Sequence, residues 1–276
     1  MIARELFDAY STALLTNDAM ARRELLEFIG YVGFNDYPML RDSLLDGFPA
    51  LVAKYGDRAA QVAIEFYQEQ RAASGVEEPY TPTLVAQPDA KVARADVRRS
   101  MGSLYGGAGH DAFMSTMAGY MTKRVMGQAD EQLWDAMERD MVRGKACLVP
   151  HAGACGWCVL IASRGWDLDR RIESMRHDNC KCTLVVDWGD PALAGYDEMD
   201  YYRIYRDADS VENQRKWVSE WNAMSAEERQ RYSPGTFTDR RKGETSTKSG
   251  WNNYRRNRVI QTMNENMGIT SSSRIK

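Results

Sequence analysis

Four of the five cysteines in this 276-residue chain fall in one short stretch. Cys155 and Cys158 form a C-x-x-C, and His177, Cys180 and Cys182 form an H-x-x-C-x-C about twenty residues on. Thiolate and imidazole are the ligands that zinc takes in tetrahedral sets of four, at bond lengths of about 2.0–2.3 Å. A C-x-x-C turn presents two thiolates from a single knuckle. Cys180 and Cys182 are two residues apart, so an extended backbone points both to the same face. The segment thus offers five candidates for four places. Cys155, Cys158 and Cys180 form the common part, and His177 or Cys182 completes the set. If Cys182 is a ligand, His177 becomes an outer neighbour of the site. The pattern predicts a structural zinc centre. Cys147 has no sequence partner and reads as a small buried apolar residue.

Two other chemistries are open to the same residues. C-G-W-C at a helix start suits a thiol oxidoreductase, because a helix N-terminus favours the thiolate. Against this, a simple dithiol enzyme has no use for the second cysteine pair, and no βαβ pattern surrounds the motif. A catalytic zinc needs an open coordination position and a nearby acid–base group. Glu173, Asp178 and Asp187 are close in sequence, but acids in polar stretches are usually solvated. His110 and His151 are isolated. No catalytic constellation emerges, and the chain is not expected to be an enzyme.

The elements around the motif are mostly helical. Ile2, Leu6, Phe7, Tyr10 and Leu14 recur at helical spacing. Asn17 is placed to cap a second helix, and Asp36 with Pro38 to start a third that Gly47 and Pro49 would stop. Asp57 would start a fourth. Residues 76–88 hold Pro79, Pro82 and Pro88 and should be an extended connector. Asp89 caps the next helix, which the glycines around 106–109 end. That glycine cluster lacks the strand and the Lys-Ser/Thr of a phosphate loop and reads as a turn. A further helix runs from about Asp111 to Arg143, with a break near Gly127. KACLV (145–149) and CTLVVDW (182–188) then read as strands, with a short helix over 158–163 between them. Helical patterns return over 197–205 and 211–223, and Ser225 with Glu228 forms a capping box. The expected fold is α+β, predominantly α-helical, with a small Cys/His-stabilised β-containing unit near residues 145–190. The expected divisions are an N-terminal helical region (1–75), a connector (76–88), the Cys/His region (89–190), a helical extension (191–228) and a basic tail (229–276).

Charge is distributed unevenly. The chain as a whole is at −3, so the molecule is not a generic binder of polyanions. Residues 229–276 nevertheless carry eleven basic groups against three acidic ones, which leaves −11 for the remainder. The tail is rich in Gly, Ser and Thr and reads as a flexible interaction arm. Arg240, Arg241, Lys242, Arg255, Arg256 and Arg258 are its candidate contacts to nucleic acid or a partner, with Trp251 and Tyr254 available for stacking. The opening residues lack the form of a signal peptide, and no apolar run nears the roughly 18 residues of a membrane helix. A reducing cytosol is therefore expected, where clustered cysteines are metal ligands more often than disulfides.

The run from Cys155 through Arg164-Gly165, then His177-Asp-Asn-Cys180-Lys-Cys182-Thr183 and an apolar strand, resembles the signature of phage Mu F-like minor head proteins. These are also called head morphogenesis or minor capsid proteins. The wording is similar to that of members from tailed phages and prophages of actinobacteria. The likeness is specific between about Lys145 and Trp188, and the helical region from about Asp89 fits the family's order. It implies a virion component of the phage head, present in the host cytoplasm during assembly. Its implied partners are the portal protein, other head proteins and packaged double-stranded DNA, with no membrane. All five Cys/His candidates fall on the family signature. The competing readings are a zinc-supported DNA-binding or nuclease-like protein and a thiol oxidoreductase.

Overall fold

The computed structural model describes residues 1–87, 89–168, 176–232, 237–238, 245–246 and 250–269. The protein is α+β and predominantly helical, and it divides into two compact units. The first contains Met1–His151 and Gly165–Asp197. The second contains Ala152–Arg164 and the described chain from Glu198 on.

The first unit is built on four helices: α1 (Arg4–Val32), α2 (Tyr37–Ala73), α3 (Ala90–Tyr105) and α4 (His110–Arg139). Residues 2–73 thus form two long helices where the sequence suggested four. Asn17 does not cap a new helix. It is buried within α1 and donates from Nδ2 to the Tyr55 carbonyl of α2 at 2.8 Å. Gly47 is not a stop either: a Cβ there would lie 2.8 Å from the Phe28 ring, so the glycine lets α1 and α2 approach. Pro49 sits inside α2. Its missing N–H frees the carbonyl of Leu45 one turn back, and Arg94 of α3 donates to that carbonyl from Nε at 3.0 Å. Asp57 likewise lies within α2, and α4 runs through Gly127 without a break. In each case the burial of a continuous apolar face outweighs a local breaker worth about 1–3 kcal/mol.

Other signals act as the sequence suggests. Asp36 accepts from Met39 N at 2.9 Å and Asp89 from Lys91 N at 2.8 Å. Gly107, at φ +96°, turns the chain between α3 and α4. The extended connector is held by side chains of α4: Gln132 accepts from Val85 N and donates to the Thr83 carbonyl at 2.8 and 2.9 Å.

β1 (Lys145–Val149) and β2 (Thr183–Asp187) pair antiparallel, with Lys145 opposite Asp187 and Val149 opposite Thr183. Two carboxylates fix this ribbon to the end of α2. Asp187 accepts from Gln70 Nε2 at 2.7 Å, Ser74 Oγ at 2.9 Å and the backbone of Trp188 and Ala192. Asp140, just before β1, accepts from Arg71 Nε and Nη2 at 2.7 and 3.1 Å and from Tyr67 Oη at 2.9 Å. Burial alone would raise both acids. The Arg71 charge with the Val142 and Tyr67 donors holds Asp140 below the usual carboxylate value, and the Ala192 and Trp188 amides with Gln70 do the same for Asp187.

In the second unit α5 (Gly156–Ala162), α6 (Glu198–Ala208), α7 (Val211–Ala223), α8 (Ala226–Gln230) and α9 (Gly250–Asn266) surround a core of Val159, Ala208, Trp217, Tyr254, Val259 and Met263. The Ser225–Glu228 capping box is present at α8. The short strands β3 (Phe237–Thr238) and β4 (Thr245–Ser246) pair with each other. The segment read as a flexible arm therefore includes a 17-residue helix, α9, whose Tyr254, Val259 and Met263 are buried. Among the described residues, no helix is long and apolar enough to cross a membrane.

Arg71→Met strands the Asp140 charge in the interior and should cost about 3–5 kcal/mol in urea unfolding. Because Asp140 and Asp187 are depressed in the folded state, the stability they confer is complete above about pH 4. It should be lost as pH falls through their lowered values, and Asp140→Asn should flatten that acid limb.

Candidate metal centre

The Cys/His residues lie on short structures leaving the β1–β2 ribbon. Cys155 is the residue before α5, Cys158 is in its first turn, and Cys180 and Cys182 lead into β2. The ligand atoms of Cys155, Cys158 and His177 all lie within 4.8 Å of one another, and so do those of Cys158, Cys180 and Cys182. Sulfurs on a tetrahedral zinc with 2.3 Å bonds stand about 3.8 Å apart. Each trio therefore consists of groups that could hold a metal ion. Cys158 belongs to both trios. Cys158, Cys180 and Cys182 are buried, and Cys155 and His177 are half-buried.

Each of the two candidates for the last place has a hydrogen-bond partner beside it. His177 Nδ1 lies 2.7 Å from the Asp178 carbonyl. A ring that donates there keeps Nε2 as the metal-facing nitrogen, the usual arrangement of a ligating histidine. Cys182 Sγ accepts from the His151 backbone N–H at 3.5 Å. Both residues are thus equipped as ligands, and each belongs to one of the two trios. Cys147 is fully buried in β1, with Sγ 3.6 Å from the Tyr196 hydroxyl, away from both trios.

The turn that carries Cys180 is seated on α4. Asn179 has φ +61°, a left-handed conformation that Asn tolerates better than most residues. It packs where Gly119 leaves room: a Cβ on Gly119 would meet Asn179 Nδ2 at 2.8 Å and Asp178 Cβ at 3.3 Å. Lys123 pairs with Asp178 at 3.3 Å. Two turns further along α4, Asp130 makes a two-pronged ion pair with Arg176, the residue before His177. Burial pushes the Asp130 carboxyl upward, and the Arg176 charge opposes it. Within the second unit, Asn264 of α9 accepts from the Gly156 N–H at 2.7 Å, at the start of the knuckle helix.

Sequence reasoning missed Gly119, Asp130, Arg176, Asn179 and Asn264. Asp130 did leave a signal. It is an acid among Val125, Met126, Ala129, Leu133 and Trp134 on the buried face of α4, and a buried acid needs a partner.

The basic candidates are placed differently from expectation. Arg255 pairs with Asp209 at 2.5 Å and Arg258 with Glu220 at 3.2 Å, so both are committed within the second unit. Their spacing on α9 puts them beside Asp209, just after α6, and Glu220 of α7 rather than on an open arm. Arg256 is exposed and lies over the Trp157 ring at 5.6 Å. Arg240, Arg241 and Lys242 lie outside the described residues. His110 stacks on Phe34 at 3.9 Å and meets the Tyr37 hydroxyl at 3.2 Å.

The family model described as VG15 protein matches residues 1–208. The chain belongs to the VG15 family. This is a family of viral (phage) gene products. The VG15 match takes in the four-helix body, the ribbon and all five Cys/His candidates, and it ends with α6. No curated protein and no solved structure matches the chain.

Gly119→Val fills the seat of the Asn179 turn. It should lower stability by about 1–3 kcal/mol and weaken metal retention, read by urea titration and by zinc release to a chelator.

Proposed function

We propose that this phage protein is a minor structural component of a tailed-phage head, of the Mu F-like kind, acting in capsid assembly near the portal. The observation that carries the reading is the C-x-x-C and H-x-x-C-x-C signature with its ligand atoms drawn together, inside a chain matched to a phage family over residues 1–208. The metal assigned to this site is zinc. Four soft donors in a largely buried cluster suit a closed structural site rather than an open catalytic one. Cys155, Cys158 and Cys180 would hold it with Cys182 or His177. When bound, zinc would supply a cross-link between the C-x-x-C turn and the H-x-x-C-x-C turn, with binding energy that counts as folding energy.

Contact with packaged DNA is a secondary part of the proposal. Neutralisation of Arg255 and Arg258 by acids shifts that role to Arg256 and to Arg240, Arg241 and Lys242. A DNA role predicts an affinity that falls steeply with salt.

Purified protein should contain stoichiometric zinc. Cys158→Ser should abolish it and lower the melting temperature, because Cys158 is shared by both ligand trios. Metal-free protein with an unchanged melting temperature would overturn the zinc assignment. Mass spectrometry of purified virions should find the protein in few copies per head, and co-expression with the portal protein of the same genome should recover a complex. Absence from both would overturn the head assignment.

A further inference from the structure

We propose that Arg176 is the positioning residue for the Cys180–Cys182 half of the metal centre, orienting both cysteines and hydrogen-bonding the Cys180 sulfur. This rests on the zinc reading above. The guanidinium is buried, with its side chain 7% exposed and that of Asp130 10% exposed. One edge of the planar fork is fully used by Asp130: Nε donates to Oδ2 at 2.6 Å and Nη2 to Oδ1 at 2.7 Å. A two-pronged pair of this kind fixes the plane of the guanidinium as well as its position.

The remaining nitrogen is thereby aimed at the cysteines. Nη1 donates to the Cys182 carbonyl at 2.9 Å and the Cys180 carbonyl at 3.2 Å, and approaches Cys180 Sγ at 3.6 Å. Gripping both carbonyls sets the backbone between the two cysteines. The contact to Sγ gives a metal-bound thiolate a donor for its excess charge, as outer groups of metal sites do. Asp130 lies in the middle of α4, so the cysteine pair is referenced to a rigid, buried helix rather than to its own loop.

The discriminating variant is Arg176→Lys. A lysine ammonium can answer the Asp130 charge but has no planar fork to reach two carbonyls and a sulfur together. A second variant, Asp130→Leu with Arg176→Met, removes the pair and leaves no stranded charge. Folding is followed by far-UV circular dichroism, zinc affinity by chelator competition, and the sulfur environment by cobalt(II) substitution. Wild type is measured in parallel. In both variants the folded protein should bind zinc about 10–100-fold more weakly. The sulfur-to-cobalt charge-transfer band should move to longer wavelength, since a thiolate that loses a donor is easier to oxidise. A role in packing alone would move the melting temperature and leave the band in place. Wild-type zinc affinity and an unshifted band in either folded variant overturn the proposal, as does failure of both variants to fold. Wild type without zinc would overturn the metal reading itself, and this inference with it.

Discussion

A two-stranded ribbon has marginal stability in water, and β1–β2 exists because the end of α2 holds it. Asp187 closes one strand end with Gln70 and Ser74, and Asp140 secures the entry to the other with Arg71 and Tyr67. Each carboxylate is buried, and each is saturated with donors. Removing water from an acid is costly unless its lone pairs are answered, so these positions admit essentially one arrangement of helix and ribbon. That arrangement determines where the chain leaves β1 toward the C-x-x-C and where it enters β2 from Cys182.

The same logic operates at the candidate centre. The ligand-bearing turns are short and irregular, and such segments hold position only when packed against something rigid. Helix α4 supplies that support through Gly119, which makes room for the left-handed Asn179, through Lys123, which pairs with Asp178, and through Asp130, which orients Arg176. In the second unit, Asn264 fixes the first amide of the knuckle helix.

The basic tail shows how composition and structure can diverge. Its positive charge is real, and so is its content of Gly, Ser and Thr. Yet Tyr254, Val259 and Met263 of α9 are buried in the core around Trp217, while Arg255 and Arg258 answer Asp209 and Glu220. Charges counted along a chain do not reveal which are neutralised in space.

Much was legible in the residues alone. The helical content, the β1 and β2 strands, the caps at Asp36, Asp89 and Ser225, and the five Cys/His candidates follow from periodicity, side-chain hydrogen bonding and ligand chemistry, all of which are local. Helix continuity was not legible. Asn17, Gly47 and Pro49 carry local signals for breaks, and only packing against Tyr55, Phe28 and Arg94 overrides them. Nor were Arg176, Asp130 and Gly119 legible as parts of the centre, because their meaning comes from partners tens of residues away. The sequence determined which atoms could bind a metal. The tertiary structure decided how the Cys180–Cys182 turn is held, since that depends on the buried Asp130–Arg176 pair and the close approach at Gly119, which no local pattern encodes.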